Sequence, residues 1–374
     1  MIRNVPRCAP AALAALAALA ACTPKFDPAS SVRELRVLAV RAEPPEIAPP
    51  GDPSAPGTAA LDTLVALPAF VVDPSPQVVV LHLACTPDPG NPTSTACVQF
   101  QTLSDPAQLL GGVDPASACA APGTGKRGAI SFGGVEACGL AGCGPVTVRR
   151  DPADPASDVT LPAPRYLLPA DFSFDAYPAS APERVLGLEA DDLALAVQAT
   201  PAELAPLAAA ADACATLAAA GARFETLWSS RPHVVSLKRI QIRGPAAPSP
   251  PNHNPAVSGI TLGGAALTPP GGSPARIAPG KVADLLPVLP GDFAALRETY
   301  VRSDSSGAPI ETRQEDWSFS WFATAGDIDL LHTTDPSEAD AYTAPASGRV
   351  LLWSVVRDLR GGVAWTVADA EAAP

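Results

Sequence analysis

The chain has 374 residues, of which 45 are Pro and 28 are Gly, about a fifth of the total where roughly an eighth is usual. That much turn-forming material excludes a coiled coil, while 47% hydrophobic residues supply a core and the length suits two domains. The 38 acidic residues outnumber the 25 basic ones, and a net charge of −13 repels phosphate backbones, which removes nucleic acid from the expected partners.

Residues 1–22 read MIRNVPRCAPAALAALAALAAC, with Arg3 and Arg7 leading an uncharged Ala/Leu run. The run from Ala11 to Ala21 is too short for a membrane span, which needs roughly 20 residues, and the order of regions is that of a signal peptide. Leu19-Ala20-Ala21-Cys22 resembles the lipobox of bacterial lipoproteins. The resemblance implies a signal peptide over 1–21, lipidation of Cys22, a tether over 22–31 and, with Thr23 following the cysteine, sorting to the outer membrane. Loss of Arg3 and Arg7 with the signal takes the net charge from −13 to −15, so anchoring would rest on the acyl chains alone.

Export sets the reading of the other cysteines. Cys85, Cys97, Cys119, Cys138, Cys143 and Cys214 form an even set in an oxidising compartment, which points to disulfides in one of 15 pairings. A zinc site at Cys138-xxxx-Cys143 lacks a CxxC spacing and a neighbouring His, so no metal and no cofactor is expected.

The stretch from Val32 to Asp52 reads as a strand ending in a Pro-rich turn, and Leu61–Val72 and Gln77–Leu83 are β-branched apolar runs joined by a tight connection. From Cys85 to about Arg150 the pattern dissolves into Cys, Gly and Pro, the expectation being a stapled loop insertion. Residues 189–220 are predicted helical, with Asp191 and Asp192 opening a first turn and Thr200-Pro201-Ala202-Glu203 as a capping box. Arg223–Trp228 and Val234–Ile242 are then predicted as strands of a closing hairpin. These segments make a first domain over 32–243, with an insertion at about 85–222.

A Pro-rich linker over 244–254 precedes a second domain over 255–372. Ala275–Gly280 (ARIAPG) echoes Glu46–Gly51 (EIAPPG), a weak internal repeat consistent with two copies of one sandwich. Trp317, Phe319 and Trp321 alternate with serines, which places three aromatics on one strand face. Val350–Asp358 and Val363–Ala368 flank Leu359-Arg360-Gly361-Gly362 as a terminal hairpin. WSFSWFATAGD, AYTAP and GRVLLWSVVRDLRGGVAW together resemble the C, E, F and G strands of bacterial immunoglobulin-like and PKD-like domains. The resemblance carries Trp321 as the covered strand-C tryptophan, with Asp358 and Gly361 in the V-x-D-x-x-G hairpin; Trp317 joins them as a core residue. The expected fold is all-β, with two tandem immunoglobulin-like sandwiches, the first bearing a disulfide-rich, partly helical insertion.

Signatures of catalysis are weak. Gly123-Thr124-Gly125-Lys126-Arg127 lacks the first glycine and the Ser/Thr of a P-loop, and no GxSxG, HExxH or SxxK occurs. His82, His233, His253 and His332 are scattered, and Asp151/Asp154, Asp191/Asp192 and Asp327/Asp329 read as turns and caps before they read as paired acids or calcium ligands. The chain is therefore expected to be a non-catalytic lipoprotein on the outer membrane, with a structural, adhesive or interaction role, a lipid-mediated membrane contact and a protein or glycan partner. The alternative is a hydrolase or carbohydrate-binding accessory lipoprotein using acidic residues of the insertion.

Overall fold

The computed structural model describes residues 28–49, 57–93, 95, 97, 127–128, 130–151, 153–200, 202–203 and 223–374. Cys22, Cys119, Cys214 and the Gly123–Arg127 turn up to Lys126 lie outside these residues.

In chain order the first half forms β1 (Arg36–Glu43), β2 (Glu46–Ile47), β3 (Thr58–Ala66), β4 (Val78–Cys85), β5 (Ile130–Gly139), β6 (Gly142–Pro145), β7 (Thr147–Asp151), β8 (Asp154–Thr160), β9 (Arg165–Leu167), β10 (Gly187–Gln198) and β11 (His233–Arg243). One sheet has the order β1-β3-β9 and the facing one β2-β11-β10-β4-β5-β6; β7 and β8 form a separate hairpin. The second half forms β12 (Gly259–Leu262), β13 (Ala265–Ala266), β14 (Ala275–Ile277), β15 (Val282–Val288), β16 (Thr299–Ser303), β17 (Pro309–Gln314), β18 (Ser318–Ala323), β19 (Asp327–Ile328), β20 (His332–Thr333), β21 (Asp340–Thr343), β22 (Gly348–Arg357) and β23 (Val363–Ala372). Its two main sheets run β13-β12-β15-β21-β19 and β14-β23-β22-β18-β20. Taking β12, β15, β18, β19, β21, β22 and β23 as A, B, C, D, E, F and G, the orders are A-B-E-D and G-F-C, those of an immunoglobulin sandwich.

The first half follows the same plan, with β1, β3 and β9 as A, B and E, and β11, β10 and β4 as G, F and C. The short strands β2 and β14 contain the echoed residues Glu46–Ile47 and Ala275–Ile277. Each pairs in parallel with the last strand of its own domain, β11 and β23 respectively, so the echo occupies one structural position in both copies.

The four main sheets stack in layers because the middle ones are apolar on both faces. On β22, Val350 and Leu352 enter the core of the second sandwich, whereas Leu351, Trp353 and Val355 join Val40, Leu64, Val65 and Phe70 of the first. Phe322 of β18 and Trp365 and Val367 of β23 pack onto the same shared core. The six-stranded sheet is likewise two-sided: on β4, Val78 and Val80 face β1 and β3, while Val79, Leu81 and Leu83 face a cluster closed by Phe224, Leu227 and Trp228. Period-two alternation between two buried surfaces explains why such strands read as continuous apolar runs.

The junction is stitched as well as packed. Ala323 of β18 donates to Ser30 O at 2.9 Å and accepts from Val32 N at 2.8 Å. Asn252 donates to Asp358 at 2.9 Å and Asn254 to Ala42 O at 2.8 Å, so part of the Pro-rich 244–254 segment is fastened to both halves.

Three secondary-structure expectations are corrected. Residues 189–198 belong to strand β10, which pairs with β4 and β11 across its length. Two buried faces and two hydrogen-bonded neighbours outweigh the helix preference of its alanines and leucines. Residues 223–230 are helical instead of a strand, which places Phe224, Leu227 and Trp228 on one buried face; β11 therefore pairs with β10 and not with this segment. The stretch from Cys85 to Arg150, expected to be loop, contains β5 and β6, which extend the six-stranded sheet, together with β7 up to that residue. Half of the capping box forms: Thr200 N donates to Glu203 Oε2 at 2.9 Å, while Glu203 N donates to the Thr200 carbonyl and not to its hydroxyl; the segment beyond Glu203 up to residue 222 lies outside the described residues.

Candidate functional site

Neighbouring strands of the six-stranded sheet bring a row of charged side chains onto the face covered by β1 and β3. In spatial order they are Glu136 on β5, His82 on β4, Asp192 on β10 and Lys238 on β11. His82 and Asp192 are fully buried and Glu136 is 2% exposed. The His82 Nδ1–H donates to Asp192 Oδ2 at 2.8 Å, and Nε2–H faces Glu136 Oε1 at 3.1 Å and Thr63 Oγ1 of β3 at 3.2 Å. Lys238 stands directly opposite Asp192 in the β10–β11 register, and its ammonium donates to Gly361 O in the β22–β23 hairpin.

Local sequence makes room for this row. The β4–β5 register slips between His82 and Leu83, opposite Gly133-Gly134. Gly134 has φ +142° and a Cβ there would lie 2.6 Å from Pro164 Cα, while one on Gly133 would lie 3.1 Å from His82 O. At Gly134 only glycine satisfies both the conformation and the close approach, and at Gly133 a side chain would crowd His82.

Burial by itself lowers the basicity of His82, but the charge and hydrogen bond of Asp192, followed by those of Glu136, outweigh it and push the imidazole up to about 10. The cation sits between two carboxylates, the arrangement that lets buried charges persist in an apolar interior. Burial raises the Asp62 carboxyl, as does the nearby Glu136, while its ion pair with Arg41 at 2.8 Å opposes both. Burial lowers Lys238 to about 8 against the pull of Asp358. A His–Asp pair beside a Thr hydroxyl has the composition of a nucleophile relay. Here all three groups are sealed between sheets and the imidazole is held protonated, so it cannot accept the hydroxyl proton.

Among the other acidic residues, Glu189 and Asp191 have partners. Glu183, Glu189 and Asp191 line a cleft of about 220 Å³ with Thr95 and Arg239. Glu189 pairs with Arg239 at 3.1 Å, and Asp191 accepts from the Thr95 hydroxyl. Asp151 and Asp154 are register partners in the β7–β8 hairpin, and Asp327 lies on β19. Glu136 approaches Cys138 and Cys143, but both sulfurs are committed to a disulfide and offer no thiolate.

Of the residues singled out from sequence, Cys85 bonds Cys97 and Cys138 bonds Cys143. Trp321 is fully buried between the sheets of the second sandwich, and Trp317 is buried beside Phe319 and Phe293. Asp358 organises the last hairpin, accepting from Arg360 N at 2.7 Å and Gly362 N at 2.8 Å, and Gly361 adopts φ +108°. Reasoning from sequence left Glu136 and Lys238 unremarked; the Gly133-Gly134 pair in an otherwise strand-like run was the available sign of a bulge facing something large.

No family model and no curated protein matches the chain. Among solved structures, the native conformation of E. coli alpha-2-macroglobulin aligns at 11% identity with a TM-score of 0.22. The alignment covers 91% of this chain and 17% of that one, a likeness too slight to bear on fold or role.

Proposed function

We propose that this is a non-catalytic lipoprotein, anchored through Cys22 to the outer membrane, in which two immunoglobulin-like sandwiches form one rigid body for a structural or interaction role. The observation that carries this reading is the sealing of the His82–Asp192–Glu136 cluster: the groups best suited to chemistry are 0%, 0% and 2% exposed and bond one another, with His82 also meeting Thr63 of the facing sheet. The partnered state of Glu189 and Asp191 disfavours the hydrolase alternative. Ser30 is already fastened to β18, so the tether from Cys22 reaches at most about 28 Å at full extension, which would keep the body close to the bilayer. Replacement of Cys22 (C22S) tests the anchor: the protein is expected to move from the membrane pellet to the soluble fraction, and retention in the pellet would refute it.

A further inference from the structure

A second polar feature lies outside the sealed cluster. Strand β1 is the edge of its sheet, and β11 is paired on its outer side only at Gln241 and Ile242, so two open edges approach each other. The β22–β23 hairpin closes over them and leaves a cleft of about 310 Å³, lined by Leu38, Ser236, Lys238, Arg357, Gly361 and Gly362 among others. That volume is within the range of small-ligand sites.

Its charge is unbalanced. Arg41, Arg243, Arg349 and Arg360 all pair with carboxylates. Lys238 and Arg357 instead donate to carbonyls, Gly361 O and Leu38 O, and neither makes an ion pair among the described residues. The nearest acids are engaged elsewhere: Asp358 accepts from Asn252, Arg360 N and Gly362 N, and Asp192 from His82. Two half-buried cations that make no direct ion pair, one a guanidinium with N–H groups to spare, are suited to a bound anion.

We propose that this junction cleft is a binding site for a carboxylate, held between Lys238 and Arg357. The carboxylate belongs either to a small dicarboxylic acid or to a Glu side chain of an extended peptide laid along the open β11 edge. The site is independent of the anchoring role, since lipidation at Cys22 plays no part in it.

The test is calorimetric titration of the full chain with sodium succinate and, separately, with the blocked peptide acetyl-Val-Glu-Val-Glu-Val-amide. At least one probe is expected to bind, with K238M or R357M weakening it tenfold or more and the exposed-site control K281M leaving it unchanged. Saturation by the peptide alone assigns the carboxylate to a polypeptide, and saturation by succinate assigns it to a small acid. Amide resonances of Gly361 and Gly362 in the unmutated protein should shift with the bound probe, a readout that does not depend on variant folding. Failure of both probes to bind, or binding by K238M and R357M as tight as that of the unmutated protein, overturns the proposal.

Discussion

The buried row predicts a stability profile with an unusual shape. His82 has an ordinary value of 6.5 and is held near 10 in the fold, so between those limits the native state keeps a proton that the unfolded chain releases. Stability from His82 is complete below pH 6.5 and declines as pH rises through 10, by about 1.4 kcal/mol per pH unit. Lys238 acts in the opposite sense: its ordinary value of 10.5 falls to about 8, so above pH 8 the unfolded chain holds the extra proton and stability rises with pH. The two slopes cancel between about pH 8 and 10. The expected profile is therefore a loss of about 2 kcal/mol from pH 6.5 to 8, followed by a plateau. In K238M the decline should continue through the plateau for about 3 kcal/mol more. In H82Q the first loss should vanish and stability should rise above pH 8. Urea unfolding followed by tryptophan fluorescence at half-unit pH steps measures all three. Parallel profiles for the unmutated protein and H82Q would refute a charged His82 in the core.

Two further perturbations probe the frame. Trp353 is 2% exposed in the core shared by both halves, so W353A should cost about 3–5 kcal/mol and shift the urea midpoint of both sandwiches together; a shift confined to one half would contradict the shared core. The Cys138–Cys143 bridge spans 5 residues and Cys85–Cys97 spans 12, so from loop length C138S/C143S should lose about 2 kcal/mol and C85S/C97S about 3, as read by the same unfolding curves.

The second sandwich was largely legible. Trp317, Phe319 and Trp321 announce a strand by strict alternation, and the β18 burial pattern repeats it. The last hairpin is marked by Asp358 and Gly361 between β-branched runs, because an Asp that caps its own turn and a glycine at positive φ are local requirements. The first sandwich hid its centre. In β10 the dipeptide Asp191-Asp192 looks like the first turn of a helix, yet the two carboxylates point to opposite sides of the sheet, one toward Thr95 and the other toward His82. The polar cluster joins residues 54 and 110 positions apart, and no local spacing encodes such a pairing. The helix at 223–230 did carry a sign, the 3- and 4-residue spacing of Phe224, Leu227 and Trp228, outweighed in the reading by their β-forming side chains.

The bonds of Ser30 and Val32 to Ala323 have a mechanical meaning. A force applied at the amino terminus does not first unravel β1; it is met by hydrogen bonds to a strand about three hundred residues later in the chain, and through β18 by the whole final sheet. The amino-terminal segment of the first sandwich is thus tied directly to a strand of the second, so a load on that end passes to the seam between the halves as well as to β1.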